Sequence, residues 1–221
     1  MEKDRIIERI PFWIHLSETE KKQLKQTSYL HTYEKNEGIF DMDDGCPGMI
    51  YVQIGSIRVY ITSEDGREVT LFHIGECECC ILSSSCVMGE ISLDVQLIAN
   101  AYTEVLVVHA QAWQQIMERN IYVRCFAYEL STKRLSNVVF ALQQILFTHF
   151  DVRLARFLVS LYEKTGNRQI KMTQEALAQE VNSAREVVAR TLRQFDLEGY
   201  IEMKRGTILI KNIEALKKIG S

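Results

Sequence analysis

Residues 172–210, MTQEALAQEVNSAREVVARTLRQFDLEGYIEMKRGTILI, carry the clearest structural pattern in this chain. Thr173 can cap a first short helix, and Asn182 stands where a turn needs a residue that accepts a left-handed backbone. Ser183 is expected to cap a second helix, which buries Val187, Val188, Thr191 and Leu192. Two short helices joined by a tight turn predict a helix-turn-helix. The apolar runs around Lys204-Arg205-Gly206 predict a trailing hairpin, so the motif is expected to be winged.

The outer face of the second helix carries side chains suited to reading DNA bases. Arg185 and Arg190 can pair bidentately with guanine in the major groove, and Glu186 can accept from the cytosine amino group. A second interpretation stays open for each of them. Glu186 lies three residues after Ser183, so a capping box explains it without DNA. The two arginines can also be solvated surface charges.

Other polar residues of the motif are candidates for contacts with the phosphate backbone, which position a protein without specifying sequence. These are Gln174, Lys204 and Arg205, and Ser183 completes the predicted DNA-binding set. Basic hairpin tips are common on protein surfaces, so a purely structural role for Lys204 and Arg205 stays open.

The region before this motif, residues 112–147, has a helical period and a seven-residue apolar repeat. Such a seam usually packs against a second copy of itself, so we predict a dimerisation helix. The alternative is that the stripe packs on the protein's own N-terminal domain. The predicted interface residues are Ile121, Cys125, Tyr128, Leu135, Val139 and Leu142.

Residues 28–108 alternate apolar and polar side chains in short runs separated by turns such as Gly55-Ser56. This pattern predicts a jelly-roll-like β-roll. Ahead of it, residues 5–10 are expected to form a helix, and SETE at 17–20 reads as a capping box that opens another. The predicted class is α+β. The predicted domains are a β-roll over residues 1–111, a dimerisation helix over 112–147 and a winged helix-turn-helix over 148–221.

Charge is unevenly distributed along the chain. Residues 1–147 carry a net charge of −7 and residues 148–221 a net charge of +4. An acidic part joined to a basic part is typical of a sensor fused to a nucleic-acid-binding module. We find no signal peptide and no apolar run long enough for a membrane span, so we expect a cytoplasmic protein with reduced thiols.

The whole chain resembles the Crp–Fnr family of bacterial transcription regulators. Its most specific part is TQEALAQEVNSAREVVARTLRQFDLEGYI, in which Arg185, Glu186 and Arg190 fall on the family's base-reading positions. Asn182 replaces the glycine often found at the turn. The resemblance implies a homodimer that binds a two-fold symmetric operator in double-stranded DNA under control of an effector, with RNA polymerase as a partner. It implies no enzymatic activity, no membrane partner and no catalytic residues.

Family members that bind a cyclic nucleotide use a Gly-Glu pair followed by Arg-Ser or Arg-Thr to hold the ribose and the phosphate. Here the chain has no lysine or arginine between Arg67 and Arg119, and the Gly89-Glu90 pair lies too far after Gly75 for the usual spacing. The resemblance therefore argues against cyclic AMP bound in the family's manner.

Four of the six cysteines cluster in that same region, at Cys77, Cys79, Cys80 and Cys86. In a strand, Cys77 and Cys79 would share one face and Cys80 would point away. Three interpretations stay open: packing as small apolar residues, thiol redox or metal sensing with zinc, copper(I) or an iron–sulfur cluster, and another small effector bound nearby. An iron–sulfur cluster of the family's oxygen-sensing type is not carried over, since those cysteines lie mainly near the N-terminus.

A cysteine-dependent redox or metal enzyme on a β-roll, with a C-terminal interaction module, is the alternative function. The five histidines are scattered without a His-x-His pair, and we identify no nucleophile with a paired base. The effector, the operator sequence and the choice between activation and repression are not specified by this pattern.

Overall fold

The computed structural model describes residues 2–39, 48–63, 66, 68–81, 95–204 and 206–220. This part of the chain contains a short 3-10 helix (Trp13–His15) and eight α-helices: α1 (Glu2–Ile7), α2 (Glu18–Gln26), α3 (Ala110–Arg119), α4 (Ile121–Phe147), α5 (Phe150–Thr165), α6 (Gln174–Glu180), α7 (Arg185–Leu197) and α8 (Ile213–Gly220). Its ten strands are β1 (Ser28–Tyr33), β2 (Met49–Ile54), β3 (Ile57–Thr62), β4 (Glu68–Ile74), β5 (Cys79–Cys80), β6 (Gln96–Ala99), β7 (Thr103–Val108), β8 (Gln169–Lys171), β9 (Ile201–Lys204) and β10 (Thr207–Ile210).

The chain divides into two units, and neither is a single continuous segment. The first unit consists of Met1–Ile61 and Leu71–Val139, and the second consists of Thr62–Thr70 and Phe140–Ser221. The nine residues Thr62–Thr70, hereafter the 62–70 segment, therefore belong with the C-terminal unit, although β3 and β4 on either side continue into the first. This grouping is not visible in the sequence pattern.

The first unit contains two antiparallel sheets, with strand orders β1-β7-β2-β5 and β4-β3-β6. The predicted turn at Gly55-Ser56 joins β2 to β3. Gly55 has a φ of 86°, and a Cβ there would lie 2.4 Å from the Tyr102 carbonyl oxygen. Only glycine fits both constraints. Two sheets built from short alternating strands agree with the predicted β-roll.

One core of the first unit lies between the larger sheet and the helices. Met49, Tyr51 and Leu106 from the strands pack with Leu24 of α2 and Trp113 of α3, and all are buried. The predicted capping box is confirmed, because the Ser17 side chain and the Glu20 side chain satisfy each other's backbone N–H groups. The opening helix begins at Glu2 rather than at the predicted residue 5.

The helical period of residues 112–147 suggested one continuous helix, but the structure has two helices, α3 and α4, that meet at Asn120. Asn120 has an extended backbone between α3 and α4, and its side-chain oxygen accepts hydrogen bonds from the Tyr122 and Val123 amides. These bonds satisfy two of the amide donors that a helix start leaves open. A capping asparagine therefore opens α4.

The two faces of α4 differ in their environment. Val123, Ala127 and Leu130 are buried in the core of the first unit. The seven-residue seam on the other face is exposed in the single chain, including Ile121, Tyr128, Leu135, Val139 and Leu142. The described part of the N-terminal domain therefore leaves these seam side chains uncovered.

The second unit contains a helix-turn-helix followed by a hairpin. In its sheet, β10 pairs with both β8 and β9, and Lys204 faces Thr207 across the hairpin turn. Gly166 ends α5 with a φ of 66°, as expected of a helix-terminating glycine. The core includes Leu154, Leu177, Val188, Leu192 and Phe195.

The second helix of the motif starts one residue later than predicted. Asn182 adopts a φ of 50°, and the Ser183 amide donates to the Ala178 carbonyl oxygen at 2.9 Å. Ser183 thus belongs to the turn. The N-cap is Ala184, whose methyl group cannot accept a hydrogen bond. The prediction that Ser183 caps this helix is therefore wrong, and the alternative explanation of Glu186 by a capping box with Ser183 fails with it.

Candidate nucleic-acid interface

The N-terminal half of α7 presents the predicted base-reading side chains to solvent. Arg185, Glu186 and Arg190 are exposed, whereas Val188 and Leu192 are buried against the rest of the second unit. With the capping box absent, Glu186 has no helix-capping role toward Ser183. The guanidinium–carboxylate–guanidinium set therefore faces solvent rather than the core of the second unit.

The helix before the turn is held by its predicted cap. The Ala176 amide donates to the Thr173 hydroxyl oxygen at 3.1 Å, which fixes the first turn of α6. Gln174 follows that cap directly and is half-buried, as is Ser183 at the turn. Both lie on polypeptide that flanks the start of α7, where contacts to the phosphate backbone would be expected.

Charge at the hairpin is more balanced than the sequence suggested. Glu202 forms ion pairs with Lys204, at 3.1 Å, and with Lys211, at 2.5 Å. Hydrogen bonds from Lys211 and then from Lys204 hold the pKa of Glu202 below its ordinary value. A phosphate would have to compete with this carboxylate for Lys204. The predicted contact residue Arg205 lies outside the described residues.

Asn182 makes contacts that the sequence did not reveal. Its side-chain oxygen accepts from the Thr70 amide at 2.7 Å, and its side-chain nitrogen donates to the Thr70 carbonyl oxygen at 3.0 Å. The Thr70 hydroxyl donates to the Gln179 carbonyl oxygen at 2.9 Å. The asparagine that replaces the family's glycine at this turn is thus hydrogen-bonded through its side chain to the Thr70 backbone. Residues 112 positions apart carry no local sequence signal for such a contact.

The cysteine cluster does not form a common face. Cys77 lies in a turn with a φ of 64° and is exposed, whereas Cys79 and Cys80 form β5 and are buried. The expectation that Cys77 and Cys79 share a strand face is wrong, since Cys77 precedes the strand. Cys86 lies outside the described residues, together with Gly89-Glu90.

The surroundings of the cysteines shift the pKa values of two groups, the Cys79 thiol and the Tyr51 hydroxyl. Burial is the main cause that raises the pKa of the Cys79 thiol, and this keeps it protonated. Burial also raises the pKa of Tyr51 to about 12, with a further contribution from a hydrogen bond with Cys77. Across the described ranges, we find no group of three or more His, Cys, Asp or Glu residues that could hold a metal ion.

A charged cluster ties the cysteine segment to α4. Glu78 lies 2.8 Å from the Lys133 ammonium and 3.6 Å from the Arg134 guanidinium. Arg134 is buried and donates to the Cys79 carbonyl oxygen at 2.9 Å. Burial acts to raise the pKa of Glu78, but the hydrogen bonds from Lys133 and the Gly75 amide and the nearby positive charges outweigh it and lower the pKa.

A search of the described helices finds none that is long and apolar enough to cross a bilayer.

Comparison with known domain families identifies both parts of the chain. Residues 30–120 match the cyclic nucleotide-binding domain, and residues 152–219 match the Crp-like helix-turn-helix domain. The second match covers α6, α7 and the hairpin. The first covers the strands and α3 but does not identify what the domain binds.

Similar proteins carry both domains in the same order. A crystal structure assigned to the Crp/Fnr family of transcriptional regulators, from Eubacterium rectale, is 31% identical and superposes with a TM-score of 0.90, over 96% of this chain and 98% of that one. The chain is 21% identical to the cAMP-activated global transcriptional regulator CRP of Haemophilus influenzae, over 82% of this chain and 84% of that protein. It is 23% identical to the cyclic AMP receptor protein of Thermus thermophilus, over 85% and 86%. The chain belongs to the Crp–Fnr family and is a DNA-binding transcription regulator with a sensory domain of the cyclic-nucleotide-binding type.

Proposed function

We propose that this protein regulates transcription as a cytoplasmic homodimer that binds a two-fold symmetric operator and works with RNA polymerase. The observation that carries the proposal is the outward placement of Arg185, Glu186 and Arg190 on a helix whose opposite face is buried. In helix-turn-helix proteins, the N-terminal residues of the second helix contact base edges in the major groove. The assignment of these three residues follows from that geometry.

The exposed seam of α4 supports association of two chains. A row of exposed leucine, isoleucine and valine side chains at seven-residue spacing is the pattern that a second copy covers in a coiled coil. A dimer would offer two α7 helices to one duplex. Half-sites read by such a dimer lie about 34 Å apart, one turn of B-DNA.

The sensory unit is proposed to respond to an effector other than cyclic AMP bound in the family's manner. Of the relatives named above, one is a cAMP-activated regulator and another a cyclic AMP receptor protein. This chain, however, has no lysine or arginine between Arg67 and Arg119. Arg134 of α4 reaches the cysteine segment, yet it is already engaged by the Cys79 carbonyl oxygen and Glu78. A phosphate would therefore meet a cation that is largely neutralised, among several carboxylates.

Arg190→Ala tests the base-reading assignment. Loss of one bidentate arginine should weaken binding to a preferred duplex by about 1–3 kcal/mol and relax the base preference at one position of each half-site. Selection of duplexes from a random pool, followed by fluorescence anisotropy titrations, measures both effects. Arg119→Ala removes an exposed arginine from the other unit and serves as the matched control.

Two further arms of the same assay separate the alternatives. Affinity for random duplex should fall steeply with rising salt, because phosphate contacts release counterions. Absence of binding at every salt concentration would favour the alternative of a redox or metal enzyme. Cyclic AMP should leave the affinity for the selected duplex unchanged, and an increase would overturn our proposal about the effector.

A further inference from the structure

The open side of β1 is a long sheet edge without charged side chains. β1 (Ser28–Tyr33) lies at one end of the larger sheet and, among the described residues, pairs with β7 alone. Its six residues, SYLHTY, include no Asp, Glu, Lys, Arg or Pro. Its register against β7 is continuous, so no bulge turns the edge away. Proteins usually protect an edge from a further strand by a charge, a proline, a bulge or a short length, and β1 has none of these.

The other edge strands in the described part of the chain do have such protection. β5, β6, β8 and β9 contain four residues or fewer. The seven-residue β4 carries a carboxylate at Glu68. β1 therefore differs from all of them, because it is both long and uncharged.

The ladder with β7 determines which backbone groups of β1 point outward. The His109 amide donates to the Thr27 carbonyl oxygen at 3.1 Å, one step before β1 begins. Bonded and non-bonded pairs alternate along an antiparallel ladder. Ser28, Leu30 and Thr32 therefore direct their N–H and C=O groups away from β7.

Contacts at the edge agree with this assignment. The Ser28 carbonyl oxygen accepts from the Lys3 ammonium at 3.0 Å instead of from β7. The backbone groups of Leu30 and Thr32 make no hydrogen bond with any residue that the structure describes. Leu30 is 40% exposed, and Thr32 is exposed as well. The middle of β1 is therefore open at its backbone and at its side chains.

β1 is complementary to a second copy of itself in one antiparallel register. A two-fold axis at Leu30 places Leu30 opposite Leu30 of the second copy, Ser28 opposite Thr32, and Tyr29 opposite His31. Hydroxyl pairs and ring pairs directly opposite each other stabilise antiparallel sheets. The outward backbone groups then become the bonded pairs of a new ladder, and no two like charges face each other within β1.

Charge at the two ends of the edge favours the same pairing. The Lys3 ammonium donates to the carbonyl oxygens of Lys25 and Ser28, and it forms no ion pair with a described carboxylate. Glu34, which directly follows β1, is exposed and forms no ion pair with a described cation. In the register above, Glu34 of the second copy comes opposite residue 26, beside the two carbonyl groups that Lys3 contacts. Opposite charges therefore meet at both ends of the pairing.

We propose that β1 is a docking edge for β1 of a second copy, paired antiparallel with the two-fold axis at Leu30. The contact lies on β1, whereas the seam lies on α4. Where two chains already pair through α4, this second contact joins two such dimers. It covers few side chains, so the association is weak and depends on protein concentration.

Hydrogen exchange of the wild-type protein tests the pairing without any substitution. The outward amides of Leu30 and Thr32 should exchange rapidly in dilute solution and about tenfold more slowly at high concentration, because association gives them acceptors. The amides of Tyr29 and His31 already donate to β7 and are the internal control, whose exchange should not change with concentration. Sedimentation velocity over the same range should show a species larger than the seam dimer.

Leu30→Lys and Leu30→Glu test the position of the two-fold axis. Each variant alone places like charges directly opposite each other, and the association should be lost. A mixture of the two variants places opposite charges there and should restore it. Ile54→Lys is the matched control and should associate as the wild type does. Ile54 is 42% exposed, and it lies on β2, which has a strand on either side.

Two results would overturn the proposal. One is exchange of the Leu30 and Thr32 amides at the same rate at every concentration, with no species larger than the seam dimer. The other is a mixture of Leu30→Lys and Leu30→Glu that associates no better than either variant alone. If the Leu30 variants fail to fold, Thr32→Pro decides, because it removes an outward amide from an edge that tolerates proline, and it should abolish the association. Neither result affects the proposed function, which the substitution in α7 tests separately.

Discussion

Leu135→Ala should weaken dimer formation strongly, because Leu135 lies in the middle of the exposed seam of α4. In the single chain, 64% of this residue is exposed. Complete burial of a leucine side chain contributes about 1.5–3 kcal/mol, so the exposed share corresponds to about 1–2 kcal/mol. A two-fold interface contains the residue twice, and the loss becomes about 2–4 kcal/mol per dimer. The dissociation constant should then rise roughly 30- to 1000-fold.

Sedimentation velocity over a concentration series measures this constant directly. Alanine favours helix at least as well as leucine, so circular dichroism should show α4 intact. Leu197→Ala is the matched control, because Leu197 is 89% exposed and lies at the end of α7, outside the helix that carries the seam. Equal monomer–dimer equilibria for the wild type and Leu135→Ala would refute the assignment of the seam as the dimer interface.

Two predictions concern the sensory unit. Exposed Cys77 should be alkylated rapidly, whereas buried Cys79, with its raised pKa, should react only after unfolding. Cleavage after Glu78 places Cys77 and Cys79 on separate peptides for mass spectrometry. Equal alkylation rates for the two thiols would contradict this difference in environment. The pKa of Glu78 in the folded state lies below its ordinary value of 4.5. Its ion pairs, including that with Lys133, therefore stabilise the fold fully above pH 4.5, and this stabilisation is lost as the pH falls through the folded-state pKa. Glu78→Gln should therefore flatten the decline of urea stability between about pH 5 and pH 3, and an unchanged slope would remove Glu78 from this account.

Local signals predicted much of the fold. The capping box at Ser17, the cap at Thr173 and the left-handed glycine at Gly166 all depend on hydrogen bonds between near neighbours, and each lies where the pattern placed it. The apolar face of α7 depends only on helical periodicity. Such features require no knowledge of distant parts of the chain.

The errors arose where two local signals competed. The helical period that begins near residue 112 continues across Asn120, but a capping asparagine interrupts the helix there. At the turn, Ser183 is a good N-cap residue, yet the positive φ of Asn182 turns the Ser183 amide toward Ala178. The helix then starts after Ala184, a poor cap by propensity. Turn geometry outweighed side-chain preference in this case.

The candidate site residues also divide into those that a local pattern predicts and those that it does not. The exposure of Arg185, Glu186 and Arg190 follows from helix periodicity and was predictable. The different environments of Cys77 and Cys79 were not, because the positive φ at Cys77 takes that residue out of the strand. The contact of Thr70 with Asn182 was also not predictable, because it connects residues 112 positions apart.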